Sequence, residues 1–246
     1  MPEVFPSLYL HGFAGHPDEA QELNRSCVGV QMPGHGDSFS GGSCAISAAK
    51  DCVYQAVEAS GCSAMDLVGY SMGSRVALSV AVENPPWLRR LVLIGVHPGL
   101  DGKERVARSE LDKQRAETLE SQGVYAFMDQ WESIPLLATQ AVISEPARSR
   151  MQNARRSHTA LGLASSLREM GTGTMPSLWD RVSGIHAPVL LVTGSEDAKF
   201  DAIAKRLLKR IPKARHVVID SAGHCAHLEQ PEAFSAALSL FLDGPV

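Results

Sequence analysis

The sequence predicts an α/β fold: a mainly parallel, doubly wound sheet of about six strands, into which an all-helical segment is inserted. Six short apolar runs rich in β-forming residues have the length of strands that are buried on both faces of a parallel sheet. Helical patterns separate most of these runs, as in consecutive βαβ units. The alternation stops between about Asp101 and Val182, where the pattern is helical throughout. These observations favour one α/β core that carries a helical insertion.

The individual elements of the core follow from side-chain spacing. Apolar runs mark the predicted strands, which are Pro6–Leu10, Cys27–Met32, Met65–Tyr70, Leu91–Val96, Pro188–Thr193 and His216–Asp220. In the first predicted helix, pairs of small apolar residues recur every three or four positions, as on the buried face of a helix. Helical patterns of this kind mark the core helices, which are Cys44–Ser60, Met72–Val82, Ala202–Arg210 and Pro231–Leu242.

Residues 101–182 are predicted to form a helical cap between the two parts of the core, 1–100 and 183–246. Joints rich in glycine and proline flank this segment, at 97–100 and at 183–188. The charge also differs, because Asp101 to Arg181 holds 11 basic and 11 acidic residues, whereas the remainder holds 12 and 16. The alternative is a set of crossover helices that belong to the core.

The composition excludes several classes of protein. The chain has 246 residues, of which 44% are hydrophobic and 20% charged, as in globular domains rather than disordered or fibrous proteins. Its 23 basic and 27 acidic residues give a net charge of −4, which argues against nucleic acid as a partner. No stretch approaches the roughly 20 consecutive apolar residues of a membrane span. The sequence gives no indication of the oligomeric state.

The N-terminus and the cysteines favour a cytoplasmic location. Met1-Pro2-Glu3-Val4 lacks the basic start and the cleavage pattern of a secretion signal. The five cysteines are odd in number and form no Cys-x-x-Cys pair, so neither a disulfide framework nor a zinc site is expected. Glycine-rich nucleotide-binding motifs are absent as well. We therefore expect no metal and no cofactor.

Gly69-Tyr70-Ser71-Met72-Gly73 matches the Gly-x-Ser-x-Gly pattern of a nucleophile elbow. The pattern is weak alone, but here a predicted strand precedes it and a predicted helix follows it. Such a turn holds a serine hydroxyl at the carboxyl end of the sheet, where the helix dipole favours developing negative charge. Ser71 is thus the candidate reactive serine, and an ordinary turn rich in glycine and serine is the alternative.

A reactive serine needs a base, and the base needs an orienting acid, which in this arrangement follow in the order Ser, Asp or Glu, His. Asp197 follows the fifth predicted strand, and His224 follows the last one. Both therefore lie just past the carboxyl end of a strand, as Ser71 does. Glu196 is the competitor for the acid and His227 the competitor for the base, although His227 already lies near the start of the following helix.

An oxyanion hole requires backbone N–H groups near the serine. Met72, directly after the serine, supplies one candidate. Phe13 supplies the other, because it follows the first predicted strand and Gly12 before it allows a sharp turn. The turn Pro33–Ser38 is expected to shape the site only.

Four other residues at strand ends have two readings. His11, His35 and His97 each suit a hydrogen-bonded loop residue as well as a functional one. Cys225, next to the candidate base, is a possible nucleophile, but Ser71 already occupies the elbow. We therefore expect Cys225 to be a packing residue.

These motifs together resemble the α/β-hydrolase superfamily over nearly the whole chain. A narrower set resembles the 2-succinyl-6-hydroxy-2,4-cyclohexadiene-1-carboxylate synthases of menaquinone biosynthesis. The motifs of that set are Gly69–Arg75, His97–Leu100, Arg168–Gly173, Ser177–Trp179 and Asp197–Phe200. Members usually carry two further strands before the His-Gly-Phe strand, whereas about five residues precede it here, so the resemblance implies a sheet shortened to six strands.

The resemblance implies a lyase rather than an ester hydrolase. The family's reaction removes a proton beside a succinyl ketone and eliminates pyruvate. Ser71, His224 and Asp197 then act together as the base, and the N–H groups of Phe13 and Met72 bind the enolate oxygen. The substrate, 2-succinyl-5-enolpyruvyl-6-hydroxy-3-cyclohexene-1-carboxylate, carries three carboxylates, for which arginine is the suited partner.

Several arginines are candidates for that role. Arg75 lies one helical turn after the serine and can reach the same mouth. The resemblance adds Arg108 and Arg155 of the cap, and it also implies that Tyr70 and Trp131 line the pocket. Nearby in the sequence are alternatives to the cap arginines, namely Arg105 and Arg156. For each cap arginine a solvated helix face is the other reading.

The sequence leaves two other functions open. One is an α/β-hydrolase that cleaves an ester or a carbon–carbon bond, and the other is a ligand receptor on the same fold. A hydrolase pocket is mostly apolar, whereas a tricarboxylate site requires Arg75, Arg108 and Arg155 to converge near Ser71. The positions of these arginines therefore distinguish the first two hypotheses.

Overall fold

The computed structural model describes residues 5–37 and 39–244, so Met1–Val4, Ser38 and residues 245–246 lie outside the described part. Its strands are β1 (Ser7–Leu10), β2 (Cys27–Val30), β3 (Met65–Tyr70), β4 (Leu88–Ile94), β5 (Val189–Gly194) and β6 (Ala214–Ile219). They form one parallel sheet in the order β2-β1-β3-β4-β5-β6. The prediction of a parallel sheet of six strands is confirmed.

Helices cover both faces of this sheet. The α-helices of the described chain are α1 (Ile46–Ser60), α2 (Met72–Ala81), α3 (Gly102–Glu132), α4 (Ala147–Arg156), α5 (Ala160–Met170), α6 (Ala198–Leu208), α7 (Ala226–Glu229) and α8 (Pro231–Asp243). Successive strand residues point to opposite faces. Leu8 and Leu10 accordingly pack in a cluster with α1, α2 and α6, while Tyr9 packs with α8. The sheet is therefore doubly wound, as predicted.

Some bounds differ from the predicted ones for local reasons. The helix α6 begins at Ala198 rather than Ala202, because the Asp197 carboxylate accepts a hydrogen bond from the Phe200 N–H and caps the helix. A 3₁₀ helix at Pro17–Leu23 has no predicted counterpart. The strand β4 begins three residues earlier than predicted, because its first residue still pairs with β3.

The chain between β4 and β5 is helical. It consists of α3, a 3₁₀ helix at Pro135–Val142, α4, α5 and a short 3₁₀ helix at Val182–Gly184, and the structure describes no strand there. The helices α3 and α5 pack through fully buried side chains that include Ala116, Leu119 and Leu163. Gly123, whose φ is 79°, interrupts α3. The division of the chain at residues 101 and 182 stays a prediction.

In the described ranges, 5–37 and 39–244, none of the helices is both long enough and apolar enough to cross a membrane.

Candidate active site

Ser71 lies in the turn between β3 and α2. Its φ of 50° and ψ of −103° form a backbone conformation that residues other than glycine rarely adopt. The neighbouring glycines make this turn sterically possible. A Cβ on Gly69 would lie 2.6 Å from the Gly73 carbonyl oxygen, and one on Gly73 would overlap the Leu10 carbonyl of β1. The turn thus places Ser71 at the carboxyl end of the sheet.

Ser71, His224 and Asp197 form a continuous chain of hydrogen bonds. The His224 Nδ1–H donates to Asp197 Oδ2 at 2.7 Å, and the Ser71 hydroxyl donates to His224 Nε2 at 2.9 Å. Asp197 and His224 are both buried. In this tautomer the imidazole can take a proton from the serine through Nε2 while the carboxylate holds its orientation. The structure brings the three predicted residues together, and their catalytic roles stay predictions.

The competing residues occupy other positions. Glu196 is exposed. His227 is buried, with Nε2 3.2 Å from the Tyr9 hydroxyl, and burial lowers its pKa to about 3. Cys225 is buried as well, and burial raises the pKa of its thiol, so the nucleophilic thiolate is disfavoured at neutral pH. These environments favour Asp197 and His224 as the acid and the base.

Phe13 and Met72 both line the cavity that Ser71 and His224 also line. Met72 is the first residue of α2, where a backbone N–H has no acceptor within the helix. Phe13 lies in the loop after β1. Gly12, before it, packs closely on Tyr70, because a Cβ on Gly12 would lie 2.7 Å from the Tyr70 ring. Both predicted oxyanion-hole residues are thus at one cavity, and the donation of their N–H groups stays a prediction.

All predicted substrate-binding residues line this cavity too: Arg75, Arg108, Arg155, Tyr70 and Trp131. Arg75 comes from α2 of the core, whereas Arg108 and Arg155 come from α3 and α4. The alternatives, Arg105 and Arg156, are not among the described residues that line it. The three arginines therefore line the same cavity as Ser71, and their contacts with a substrate stay predictions.

Arg75 is a buried charge without a carboxylate partner in the described parts of the chain. Its guanidinium donates to the Met170 carbonyl oxygen at the end of α5. Burial, with a contribution from the charge of Arg108, lowers the pKa of Arg75 to about 10. Arg75 therefore keeps its charge at neutral pH. An unpaired buried charge is costly, so the site favours an anionic ligand.

The two arginines from α3 and α4 already have polar partners. Arg108 Nε lies 2.8 Å from an oxygen of Asp112, one helical turn further along α3. Arg155 donates to Glu132 Oε1 at 3.1 Å and to Gln140 Oε1 at 2.7 Å. A guanidinium has five N–H donors, so both side chains are held in place and still have donors to offer.

His97 lines the same cavity as several cationic side chains. Its pKa is lowered to about 4, first by burial and then by the charges of Lys199, Arg75 and Arg108. Lys199 and Glu19 line the same cavity, although the sequence predicts neither as a site residue. Burial raises the pKa of Glu19, which accepts a hydrogen bond from the Tyr9 hydroxyl at 3.0 Å. The cavity is thus electropositive and suits an anion.

The two missed residues have different sequence signals. Lys199 belongs to the Asp-Ala-Lys-Phe motif, which is visible in the sequence without indicating that its ammonium reaches the cavity. Glu19 forms a capping box with His16 at the start of the 3₁₀ helix. That pattern predicts a helix start and not a cavity wall.

Residues 8–237 match the family model described as the alpha/beta hydrolase family. The chain therefore belongs to the α/β-hydrolase family. This membership agrees with the elbow serine, the order of the triad residues and the doubly wound parallel sheet.

More specific relatives narrow the class. A putative 2-succinyl-6-hydroxy-2,4-cyclohexadiene-1-carboxylate synthase of Bacillus subtilis (strain 168) is 42% identical over 180 residues, which are 72% of this chain and 65% of that protein. The synthase of that name from Enterobacter sp. (strain 638) is 31% identical over 97% of this chain and 92% of its own length. MenH from S. aureus has a solved structure with a TM-score of 0.89 and 28% identity, covering 98% of this chain and 94% of that one. Within the α/β hydrolases, the chain belongs to this synthase family.

Proposed function

We propose that this protein is a lyase of menaquinone biosynthesis. It eliminates pyruvate from 2-succinyl-5-enolpyruvyl-6-hydroxy-3-cyclohexene-1-carboxylate and releases 2-succinyl-6-hydroxy-2,4-cyclohexadiene-1-carboxylate. The observation that carries the proposal is that Arg75, Arg108 and Arg155 line the same cavity as Ser71 and His224, which form a hydrogen-bonded triad with Asp197. The names of the relatives support the same reaction.

The reaction begins with the removal of a proton from ring carbon 2, which lies beside the succinyl ketone. The Ser71 oxygen takes this proton as its own hydroxyl proton passes to His224 Nε2, 2.9 Å away. Asp197 accepts the Nδ1–H at 2.7 Å and stabilises the imidazolium that forms. No bond forms between Ser71 and the substrate, so the serine acts as a base rather than a nucleophile.

The electrons released at ring carbon 2 first become an enolate. Its oxygen would accept hydrogen bonds from the N–H groups of Phe13 and Met72, and a donor of this kind contributes about 3 kcal/mol to a transition state. The pair then forms the bond between carbons 2 and 3, the ring double bond moves to carbons 4 and 5, and the carbon–oxygen bond at carbon 5 breaks. The leaving enolate of pyruvate gains a proton on carbon, and the His224 imidazolium releases the proton that it took from Ser71, so the triad returns to its starting state.

The tricarboxylate substrate explains the arginines of the cavity. Arg75 is buried and has no carboxylate partner among the residues that the structure describes, and a substrate carboxylate can supply one. Arg108 and Arg155 present planar guanidiniums that pair with carboxylates through two parallel hydrogen bonds. Tyr70 and Trp131 add aromatic surface for the ring. An ester pocket requires no such set of cations.

The proposal also specifies a partner and a compartment. The partner is a small-molecule tricarboxylate, bound without a metal or a cofactor. The compartment is the cytoplasm, a proposal that the five free thiols support, because a reducing environment keeps cysteines in that state.

One assay tests this function against the esterase alternative. The protein is supplied with the enolpyruvyl substrate, pyruvate is measured, and hydrolysis of p-nitrophenyl acetate is followed in parallel. We expect rapid pyruvate release, slow ester hydrolysis, and loss of pyruvate release in Ser71→Ala but not in Ser183→Ala, whose serine is exposed outside the cavity. Ester hydrolysis without pyruvate release would make the protein a hydrolase. Tight binding of an unchanged substrate would make it a receptor.

A further inference from the structure

Three buried histidines pack edge to face beside the loop that carries Phe13. The ring centroids of His11 and His35 are 4.9 Å apart, and those of His35 and His158 are 5.2 Å apart. His11 follows β1, and His35 lies in the turn after β2. His158 comes from the helical segment, between α4 and α5. The cluster therefore joins two core loops to the helices above them.

The histidines hydrogen-bond to the backbone on both sides of Phe13. The His11 Nδ1–H donates to the Gly12 carbonyl oxygen at 2.9 Å. The Ala14 N–H donates to His35 Nε2 at 3.1 Å, and the His158 Nε2–H donates to the Ala14 carbonyl oxygen at 3.1 Å. The two residues that flank Phe13 are thus held by three imidazoles.

Each ring uses its second nitrogen to anchor itself elsewhere. The Met32 N–H donates to His11 Nε2 at 3.3 Å. The Gly36 N–H donates to His158 Nδ1 at 2.9 Å, and the His35 Nδ1–H donates to the Pro33 carbonyl oxygen at 3.0 Å. Every ring therefore has one donor and one acceptor nitrogen, which only a neutral imidazole in a defined tautomer provides.

Two features indicate that the three histidines stabilise the backbone conformation of the loop that carries Phe13. Ala14 has a φ of 58°, in the left-handed region that an alanine adopts only when its surroundings enforce it. Its N–H and its carbonyl are both bound by imidazoles of the cluster. Burial keeps the rings neutral, because it lowers the pKa of His11 to about 3 and also lowers those of His35 and His158.

We infer that His158, together with His11 and His35, positions the Phe13 N–H for its role in the oxyanion hole. A backbone donor contributes to catalysis only when it is fixed at hydrogen-bond distance from the developing charge. Because His158 lies between α4 and α5, the position of the Phe13 N–H depends on how these helices pack against the core. The inference rests on the proposed function, because it assigns a role to a donor of that site. His158 is a positioning residue and does not itself need to touch the substrate.

Two substitutions separate the two hydrogen bonds of His158. In His158→Gln the side-chain amide nitrogen can take the place of Nε2 and still donate to the Ala14 carbonyl. In His158→Asn the amide oxygen can take the place of Nδ1 and accept from the Gly36 N–H, but the bond to Ala14 is lost. We expect His158→Asn to lower kcat by about tenfold or more with little change in KM. We expect His158→Gln to recover most of the lost kcat.

A second measurement keeps this test independent of the natural reaction. A fluorophosphonate forms a bond from phosphorus to the Ser71 oxygen as fluoride leaves and the serine proton passes to His224, and the oxyanion hole accelerates this step as well. We expect the labelling rate to fall in His158→Asn, to recover in His158→Gln, and to be unchanged in His186→Asn. His186 is exposed and lies outside the cavity. Thermal unfolding of each variant is measured alongside.

The outcomes distinguish the positioning role of His158 from the proposed lyase function. Equal kcat and labelling rates in His158→Asn and the unaltered protein would overturn the inference. Equal losses in the Asn and Gln variants, in proportion to their lower unfolding temperatures, would overturn it too. If the unaltered protein is labelled but releases no pyruvate, the proposed function fails and the labelling rates alone decide the inference. A protein that neither labels nor releases pyruvate would refute both.

Discussion

At the scale of single residues, Gly95 limits the position of the His224 imidazole. It lies directly after β4 with a φ of 59°, and a Cβ there would be 2.6 Å from His224 Cε1. The backbone thus passes so close to the imidazole that a methyl group has no room. A shift of about 1 Å in a catalytic group can cost a hundredfold in rate.

Gly95→Ala should therefore lower kcat by at least about tenfold. Gly61→Ala is the matched control, because Gly61 has a φ of 64° and open space around its Cβ position. Both alanines carry the strain of a left-handed backbone, about 1 kcal/mol, but only the first presses on His224. Steady-state kinetics and urea unfolding measure the two effects. An unchanged kcat in Gly95→Ala would mean that the imidazole is not constrained from this side.

Adjacent arginines test the assignment of the cationic cavity. Arg155 lines the cavity and Arg156 does not, although both bond to Glu132. Arg155→Gln should raise KM for the tricarboxylate by about tenfold or more, because a hydrogen bond to a charged group contributes about 1.5–3 kcal/mol. Arg156→Gln should leave KM unchanged. A larger effect on KM from Arg156→Gln than from Arg155→Gln would show that Arg156, and not Arg155, binds the substrate.

The predicted site residues that the structure brings together are those with local signals in the sequence. Ser71, Asp197 and His224 each follow a strand, and their chain order carries the assignment. His158 has no such signal, because its partners Ala14 and Gly36 lie more than a hundred residues away in sequence. The partners of a long side chain depend on packing between elements, which spacing along one element does not specify.

At the scale of elements, the helical segment meets the core by a close backbone contact. A Cβ on Gly162, in the first turn of α5, would lie 2.5 Å from the Gly34 carbonyl oxygen in the turn after β2. The Gly34 carbonyl carbon lies 3.1 Å from the same position, and backbone atoms of this kind cannot rotate away as a side chain can. The distance between α5 and the core is therefore set by two glycines.

Gly162→Ala should separate α5 from the core turn and move His158, which precedes the same helix. We expect a loss on the order of 1–3 kcal/mol in the free energy of unfolding and a lower kcat/KM. Gly184→Ala, where nothing lies within 4 Å of the added methyl, should change stability by less than about 0.5 kcal/mol. Unfolding in urea and pyruvate release measure both. Equal stability of the two variants would argue against a tight contact.

The elements themselves follow closely from the sequence, with instructive exceptions. The buried strand β3 has the predicted bounds, because a short, mostly apolar run leads directly into the Gly-x-Ser-x-Gly turn, which fixes its end. The start of α6 depends on which residue caps it, and the Asp197 carboxylate serves there as well as in the triad. The 3₁₀ helix at Pro17–Leu23 is short and lacks a long apolar period. Elements of that kind have weak signals in a single sequence.

At the scale of the whole molecule, burial of neutral histidines links stability to pH. Burial lowers the pKa of His11 and His227 to about 3 and that of His97 to about 4, from an ordinary value of 6.5. Between these values the unfolded chain binds protons that the folded chain does not. Stability that is fully present above pH 6.5 is therefore lost as the pH falls toward 3.

His227→Gln should make this loss less steep. A glutamine cannot be protonated, and its amide can still hydrogen-bond to the Tyr9 hydroxyl. The free energy of unfolding should fall less with decreasing pH than in the unaltered protein, by about 1.4 kcal/mol per pH unit below 6.5. The control is His186→Gln, at an exposed histidine. The same slope in all three proteins would show that His227 is not held neutral by the fold.

The central claim is that Ser71 acts as a base, which removes a proton from a carbon atom, and not as a nucleophile, which attacks a carbonyl group. The rate of pyruvate release from a substrate that carries deuterium at ring carbon 2 tests this claim directly when the intact mass of the enzyme is recorded during turnover. We predict slower release from the deuterated substrate and an unmodified protein mass. Equal rates with both isotopes, together with a covalent adduct on Ser71, would contradict a base role for the serine.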